Sequence, residues 1–468
     1  MKQTAAVLFL ILTLVSCAGK TPAPIASPAT HWKPAPQDIP QLKISAATVS
    51  PELQNRKDWT LPALIDLALN TNNQTRITWF QSKAAAADFE SKKGPFYPTV
   101  DLAADLSKNH GSAVGGRFSF DQKSSSPGVA IAYVLYDFGK RTADAEEARQ
   151  ALLSANWTHN AAIQRVILEV QQAYYQFVNA KALLKAEQQA VELAKTNVEA
   201  AQERHQAGVA TIADELQAKT ALAQAQLSVD DTTGTIQVLR GVLAVLIGVP
   251  ASGADLDVVE AIPERPPLDQ MDIAIEALIK QAMHARPELQ AARSDVLQEQ
   301  AKADSKHAER FPSLQAGGTA SRLYYFDPSN SSNNYGASIS IRFPLFDGFT
   351  RKYEEMKERE LTEAARSQVA QLQQAVGLQV WTNYYILKTA AEKINTAEAF
   401  LDNAQQSYDV AQGRYREGVG SILDLLAAQN ALLNANAQNV QARTDWYLAL
   451  ARLSHATGTL GLDETPAK

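Results

Sequence analysis

The sequence predicts an α+β membrane protein: a tandem-repeat protomer with long coiled-coil helices and four strands. Three observations lead there. "RHQAGVATIADEL" (Arg204–Leu216) returns as "RYREGVGSILDLL" (Arg414–Leu426), 210 positions further on. About 67 residues from Arg141 to Ala207 contain neither glycine nor proline, enough for a helix of ~100 Å. Ahead of each long helix, apolar residues alternate with small ones at the strand period of two.

The chain opens on an address. Met1-Lys2 is positive and Ala5–Val15 is an apolar core of signal-peptide length, so residues 1–16 are expected to be removed. Leu14-Val15-Ser16-Cys17 resembles a bacterial lipobox, which implies lipid on the thiol of Cys17, the one cysteine among 468 residues. Ala18 follows, and under the lipoprotein rule the lack of aspartate there argues against inner-membrane retention. Residues 17–58 then read as a tether, because "KTPAPIASPATHWKPAPQDIPQ" cannot bury a core and favours extended chain.

The duplication organises the remainder. Val129, Ile131, Tyr133 and Leu135 match Ile339, Ile341, Phe343 and Leu345, and "LYDFGKR" matches "LFDGFTR" at the same offset. Gly208 matches Gly418, Asp214 matches Asp424, and Gly248 matches Gly458. Upstream the offset is 214, so four residues are gained or lost between Pro98 and Val129, a change expected in a loop. The first repeat spans 59–249, a linker 250–270, the second repeat 271–458 and a tail 459–468.

Each repeat reads helix, strand, strand, long helix, tight turn, helix. In the first, helices are expected over Ala63–Lys93, Arg141–Ala207 and Thr211–Ile247, with strands near Thr99–Leu106 and Gly128–Tyr136. In the second, helices are expected over Asp272–Glu309, Arg351–Glu417 (interrupted by Gly377) and Ser421–Thr457. The shorter helices of a repeat together match its long one, so they are expected to stack end to end beside it. Ile163, Val170, Phe177, Leu184, Val191 and Val198 keep a seven-residue spacing, as do Val380, Leu387, Ile394, Leu401 and Tyr408. Such a spacing stays in register only under left-handed supercoiling. Alanines 173, 180, 194 and 201 beside the first stripe permit close helix approach.

Four strands are too few to close a barrel and leave edges that must be paired. Their apolar face ends in Tyr133, Tyr136, Phe343 and Phe346, like the lipid face and interfacial girdle of outer-membrane strands. An oligomer follows, and three chains would supply twelve strands.

"LPALIDLALNTNN" (Leu61–Asn73), Tyr97-Pro98, "YDFGKR", Tyr174-Tyr175 and the twin turn motifs resemble the outer-membrane efflux factor (TolC) family, in its lipoprotein branch. The resemblance covers essentially the whole chain beyond the tether. It implies a homotrimer with a twelve-stranded barrel in the outer membrane and a helical barrel crossing the periplasm to a closed tip. It further implies docking to a periplasmic adaptor and an inner-membrane pump. The expected function is a passive exit duct for drugs or other small toxic molecules. A duct for type I protein secretion is the nearest alternative, and a non-conducting envelope lipoprotein is the alternative from another class.

On this resemblance Arg204, Gly208, Val209, Arg414, Gly418 and Val419 form the adaptor-docking tips. The arginines are equally explained as cations favourable at a helix C-terminus. Asp424 is expected to face the constricted pore, where three copies would form a carboxylate ring that attracts cations. Its duplicate Asp214 is the weaker candidate. Tyr415 matches a tyrosine that locks helix pairs together at the closed tip. Gly420 and Ala427 depart from members that carry arginine and aspartate there, which implies one acidic ring and a looser latch.

Other classes find no support. Net charge is −6, so there is no basic footprint for nucleic acid. Asp137-Phe138-Gly139 spells the kinase magnesium triplet but lacks its companion loops, and its duplicate Asp347-Gly348-Phe349 marks a strand-to-helix elbow where aspartate caps the next helix. No metal-protease or phosphate-loop motif occurs, and no cofactor or metal is expected.

Overall fold

The computed structural model of the protein describes residues 59–113, 115, 117–251, 258, 274–326 and 329–461. The signal segment, Cys17, the tether and nearly all of the inter-repeat linker and tail lie outside the described residues. The elements run α1 (Leu61–Thr71), α2 (Asn73–Lys92), β1 (Thr99–Ala113), β2 (Phe118–Tyr136), α3 (Lys140–Gln206) and α4 (Ile212–Leu246). The second repeat gives α5 (Ile275–Ala285), α6 (Pro287–Ala308), β3 (Ser313–Phe326), β4 (Ser329–Arg342), α7 (Thr350–Arg416) and α8 (Ile422–Thr457). Both long helices, α3 and α7, have 67 residues, or ~100 Å.

Three expectations need correction. The first helix of each repeat is broken. Asn72 leaves the helical region (φ −63°, ψ 133°) and its side chain accepts from the Gln74 amide at 2.7 Å, capping α2. Arg286 does the same (φ −65°, ψ 119°) because Pro287 follows and disfavours helix in the residue before it. Gly377, in contrast, interrupts nothing. Val376 and Val380 on either side are fully buried, and their packing offsets the ~1 kcal/mol that a mid-helix glycine costs.

The breaks explain the third correction. Helix α1 lies alongside α3 instead of joining the stack. Its Leu64, Leu67 and Ala68 share one core with Val166, Val170 and Phe177 of α3 and Leu243 of α4. The stack consists of α2 and α4, which meet end to end at the break. Thr71 Oγ1 donates to the Ile247 carbonyl at 2.7 Å and Asn72 Nδ2 to the Leu246 carbonyl at 2.9 Å. Gly248 is required here, since its φ is +75° and a Cβ would stand 2.9 Å from the Thr71 oxygen. The second repeat copies the joint, with Gly458 against Ala285 and Arg286.

The heptad stripes are the seams of the helical layer. Val170, Phe177, Val198, Val380, Leu387, Ile394 and Tyr408 are buried, and so are the four alanines of the first stripe. Near the strands, α6 packs between α3 and α7. Lys140 of α3 pairs with Glu309 beyond its end at 3.5 Å, and Arg310 pairs with Glu355 of α7 at 2.7 Å. Beyond the breaks α8 takes that place between α3 and α7. At every level the outermost helices are α2 or α4 on one side and α7 on the other.

The sheet is an antiparallel meander, β1-β2-β3-β4. The four-residue offset lies at the hairpin ends: Leu102 opposes Val129 as Ala316 opposes Ile339, while the first hairpin continues to Ala113–Phe118 and the second ends at Phe326–Ser329. One face carries Val100, Leu102, Leu106, Val129, Ile131, Tyr335, Ile339 and Ile341, all exposed. The other carries Asp101, Asp105, Ser124, Ser126, Gln315, Thr319, Ser338 and Ser340 by the same alternation. An exposed apolar face backed by a polar one inverts the arrangement of a soluble sheet and matches a barrel in lipid with a wet interior. Below it, the Asp137 carboxylate accepts from the Arg141 amide at 3.0 Å and its side chain at 2.9 Å, so the elbow is capped as expected. Among the described residues no helix is long and apolar enough to cross a membrane.

Candidate functional site

The two turn motifs lie at the far ends of the long helices and are brought together. Gly208 (φ +75°) and Gly418 (φ +80°) each end a long helix in the left-handed conformation. The Val209 amide reaches back to the Arg204 carbonyl at 2.9 Å, and the Val419 amide to the Arg414 carbonyl at 3.0 Å. These are the bonds of a glycine-terminated helix, so the glycines are demanded by geometry. Val209 and Val419 are 64% and 69% exposed, two apolar side chains at the apex of the turns.

The duplicated aspartates part company. Asp214 completes a capping box with Thr211, its carboxylate accepting from the Thr211 amide at 2.9 Å. Ser421 caps α8 by accepting from the Asp424 amide at 3.1 Å, but the Asp424 carboxylate does not fold back. It is exposed and has no hydrogen-bond partner among the described residues. With Arg414 and Gly420 it lines a groove of about 460 Å³ between α7 and α8, floored by Ala427, Ala428 and Ala431. One aspartate holds a helix end, and the other is free to act on solvent and ions.

Arg204 does something the sequence did not show. Its Nη1 donates to the Tyr415 carbonyl at 2.7 Å and its guanidinium lies 4.9 Å from the Tyr415 ring. It therefore crosses from the first repeat to the second and holds the end of α7. Tyr415 continues the heptad stripe seven residues beyond Tyr408. It is buried, its hydroxyl has no partner among the described residues, and burial pushes that hydroxyl's pKa up. Arg414 stays exposed. Gly420 is closed to any side chain without movement, because a Cβ would stand 3.1 Å from Arg414 and from the Tyr415 amide.

Two further contacts were missed. Asn197 donates to Gln429 at 2.8 Å in a buried amide pair linking α3 to α8. The signal was present, since Asn197 sits within an alanine stripe (Ala190, Ala194, Ala201) where a polar residue needs a partner. Glu215 on α4 accepts from Lys219 at 2.7 Å and contacts His205 of α3 at 2.8 Å, tying the first turn together. Those hydrogen bonds, from Lys219 first and then His205, hold its carboxyl down at about 2.

The profile of the family described as outer membrane efflux protein matches residues 64–249 and 278–459, one match per repeat. The chain belongs to the outer membrane efflux protein family. It is 28% identical over 456 residues to Protein CyaE of Bordetella pertussis, covering 95% of this chain and 90% of that one. It is 24% identical over 444 residues to the antibiotic efflux pump outer membrane protein ArpC of Pseudomonas putida, covering 93% and 90%. Its fold is that of the outer membrane protein VceC of Vibrio cholerae, with a TM-score of 0.75 at 19% identity over 85% of this chain and 96% of that one.

Proposed function

We propose that three copies of this chain form a passive exit duct of a tripartite export system, carrying small toxic molecules out through the outer membrane. The observation that carries the reading is the sheet: an apolar outward face, a polar inward face and two unpaired edge strands, continuous with the long helices. Both outermost surfaces of the helical layer carry exposed apolar side chains as well. Helix α2 exposes Ile77 and Phe80 and α4 exposes Val238 and Val245, while α7 exposes Tyr353, Met356, Leu378 and Val410. Two different edges on one protomer make a head-to-tail interface, and such an interface forms a ring when its rotation closes, as three copies would here. Membership of the family and the efflux named for ArpC support the direction of transport.

In this duct Cys17 carries the lipid anchor. The exposed Val209 and Val419, with Gly208 and Gly418 shaping their turns and Arg414 beside them, dock a periplasmic adaptor joined to an inner-membrane pump. Asp424 forms the acidic ring of the gate, and Arg204 with Tyr415 latches the two turns. The chain performs no catalysis, and its energy comes from the pump. The test is efflux of a fluorescent dye from cells lacking their own exit duct, supplied with this chain and a matched adaptor and pump. Restored efflux, abolished by deleting the Gly208 and Gly418 turns, is expected. Unrestored efflux despite trimers in the outer membrane would overturn the proposal.

A further inference from the structure

The outward face of the sheet changes character toward the hairpin ends. On β1 and β2 the last outward apolar residues are Leu106 and Pro127, while on β3 the outward row runs Ala320, Arg322, Tyr324 and Phe326. The outward cations of this region are Lys108, directly beyond Leu106 on β1, Lys123, beyond Ser125 on β2, and Arg322, between Ala320 and Tyr324 on β3.

Their arrangement is unfavourable as it stands. Lys108 and Lys123 are register partners, and like charges directly opposed across two strands destabilise them. Among the described residues neither ammonium has a hydrogen bond or an ion pair. The neighbouring outward carboxylate, Asp121, is bound at 2.8 Å by His110, its own register partner. Arg322 lies 5.2 Å from the Tyr324 ring, and among the described residues its guanidinium reaches only the Ser331 hydroxyl, at 3.5 Å. Three cations thus share an exposed rim with one carboxylate that is already engaged.

We propose that this rim binds the phosphorylated head group of an anionic glycolipid in the outer leaflet of the membrane. The inference rests on the reading that the strands cross the outer membrane with their hairpin ends outward. A lipid is chosen over a soluble anion because Lys108 and Arg322 border directly on the apolar face. Leu106 lies two residues below Lys108 and is 79% exposed, and Tyr335, 87% exposed, stands at the same border on β4. A ligand satisfying both needs phosphate at the cations and acyl chain on the apolar face. The second hairpin presents Asn333 opposite Arg322, so the site is confined to β1–β3 of each protomer.

The experiment titrates the full-length trimer, purified in neutral detergent without phosphate, with a bisphosphorylated lipid A and with its dephosphorylated form. Near an anionic surface each cation contributes about fivefold, so the Lys108→Gln/Lys123→Gln/Arg322→Gln variant should bind the phosphorylated lipid roughly a hundredfold more weakly. Equal binding by the variant, or equal binding of the dephosphorylated lipid, would overturn the proposal. Displacement by millimolar inorganic phosphate would also overturn it, marking a soluble-anion site. A second variant, Lys123→Glu, turns the opposed pair attractive. It should raise the thermal midpoint without lipid and lose the further rise on adding lipid A; a rise equal to wild type would count against the site. Intact bilayer conductance with no glycolipid binding defeats this proposal alone, whereas failure of the wild type to insert in bilayers defeats the barrel reading and this one with it.

Discussion

Replacing Arg204 by alanine should loosen the hold of one turn on the other by an amount that can be worked from its contacts. A charge-assisted hydrogen bond contributes about 1.5–3 kcal/mol, and the lower end applies because Arg204 is half buried. The cation–π contact with Tyr415 adds about 0.5–1 kcal/mol at such a site. Together they give about 2–3 kcal/mol holding the second turn against the first, or a 30- to 150-fold shift toward release for each protomer, at ~1.4 kcal/mol per tenfold. Single-channel recording of Arg204→Ala in a planar bilayer should show a rise in open fraction of that order. Arg204→Lys keeps a cation at the helix end but loses the planar fork and should fall between the two. An Arg204→Ala channel with the wild-type open fraction would refute the latch.

Other consequences can be checked alongside. Asp424→Asn should weaken cation preference and divalent block with no loss of stability, whereas Asp214→Asn should lower stability by about 0.5–1 kcal/mol through the lost capping box, read by thermal unfolding. Gly458→Ala should be far worse than Gly139→Ala. Both residues have positive φ, but a Cβ at 458 would stand 2.8 Å from the Ala285 backbone while one at 139 meets nothing within 4 Å, so only the second is limited to the ~1–2 kcal/mol of backbone strain. Glu215 has its pKa lowered from 4.5 to about 2, so its tie to Lys219 and His205 is fully present above about 4.5. The tie is lost as pH falls toward 2, and amide exchange at Thr211–Leu216 should accelerate over that window.

Much of this architecture was legible because the gene duplication compares the sequence with itself. The positions shared by both copies gave the turns and the long helices to within a residue or two, whereas the first two strands run on past the expected Leu106 to Ala113 and begin at Phe118 instead of Gly128, because the polar hairpin arms carry no apolar alternation. The breaks at Asn72 and Arg286 escaped because local helix propensity is high on both sides and the joint is held by contacts 169 to 176 residues away. Pro287 was a visible signal for one of them. Gly377 misled in the opposite sense, since buried valines on both sides decide the matter. At the tip, the glycines were readable as turn chemistry and the aspartates as a pair. Which aspartate caps and which is free depends on one folded-back carboxylate, and the reach of Arg204 to Tyr415 joins residues that only the assembled repeats bring together. Cys17 rests on the sequence alone.

The central claim is that this chain conducts. Purified full-length protein should be placed in a planar bilayer and recorded at the single-channel level, wild type beside Asp424→Asn. Small, cation-selective openings blocked by divalent cations, with the block weakened in the variant, are the expected result. Silent bilayers from folded, membrane-inserted trimers, even with Arg204→Ala loosening the tip, would contradict the account.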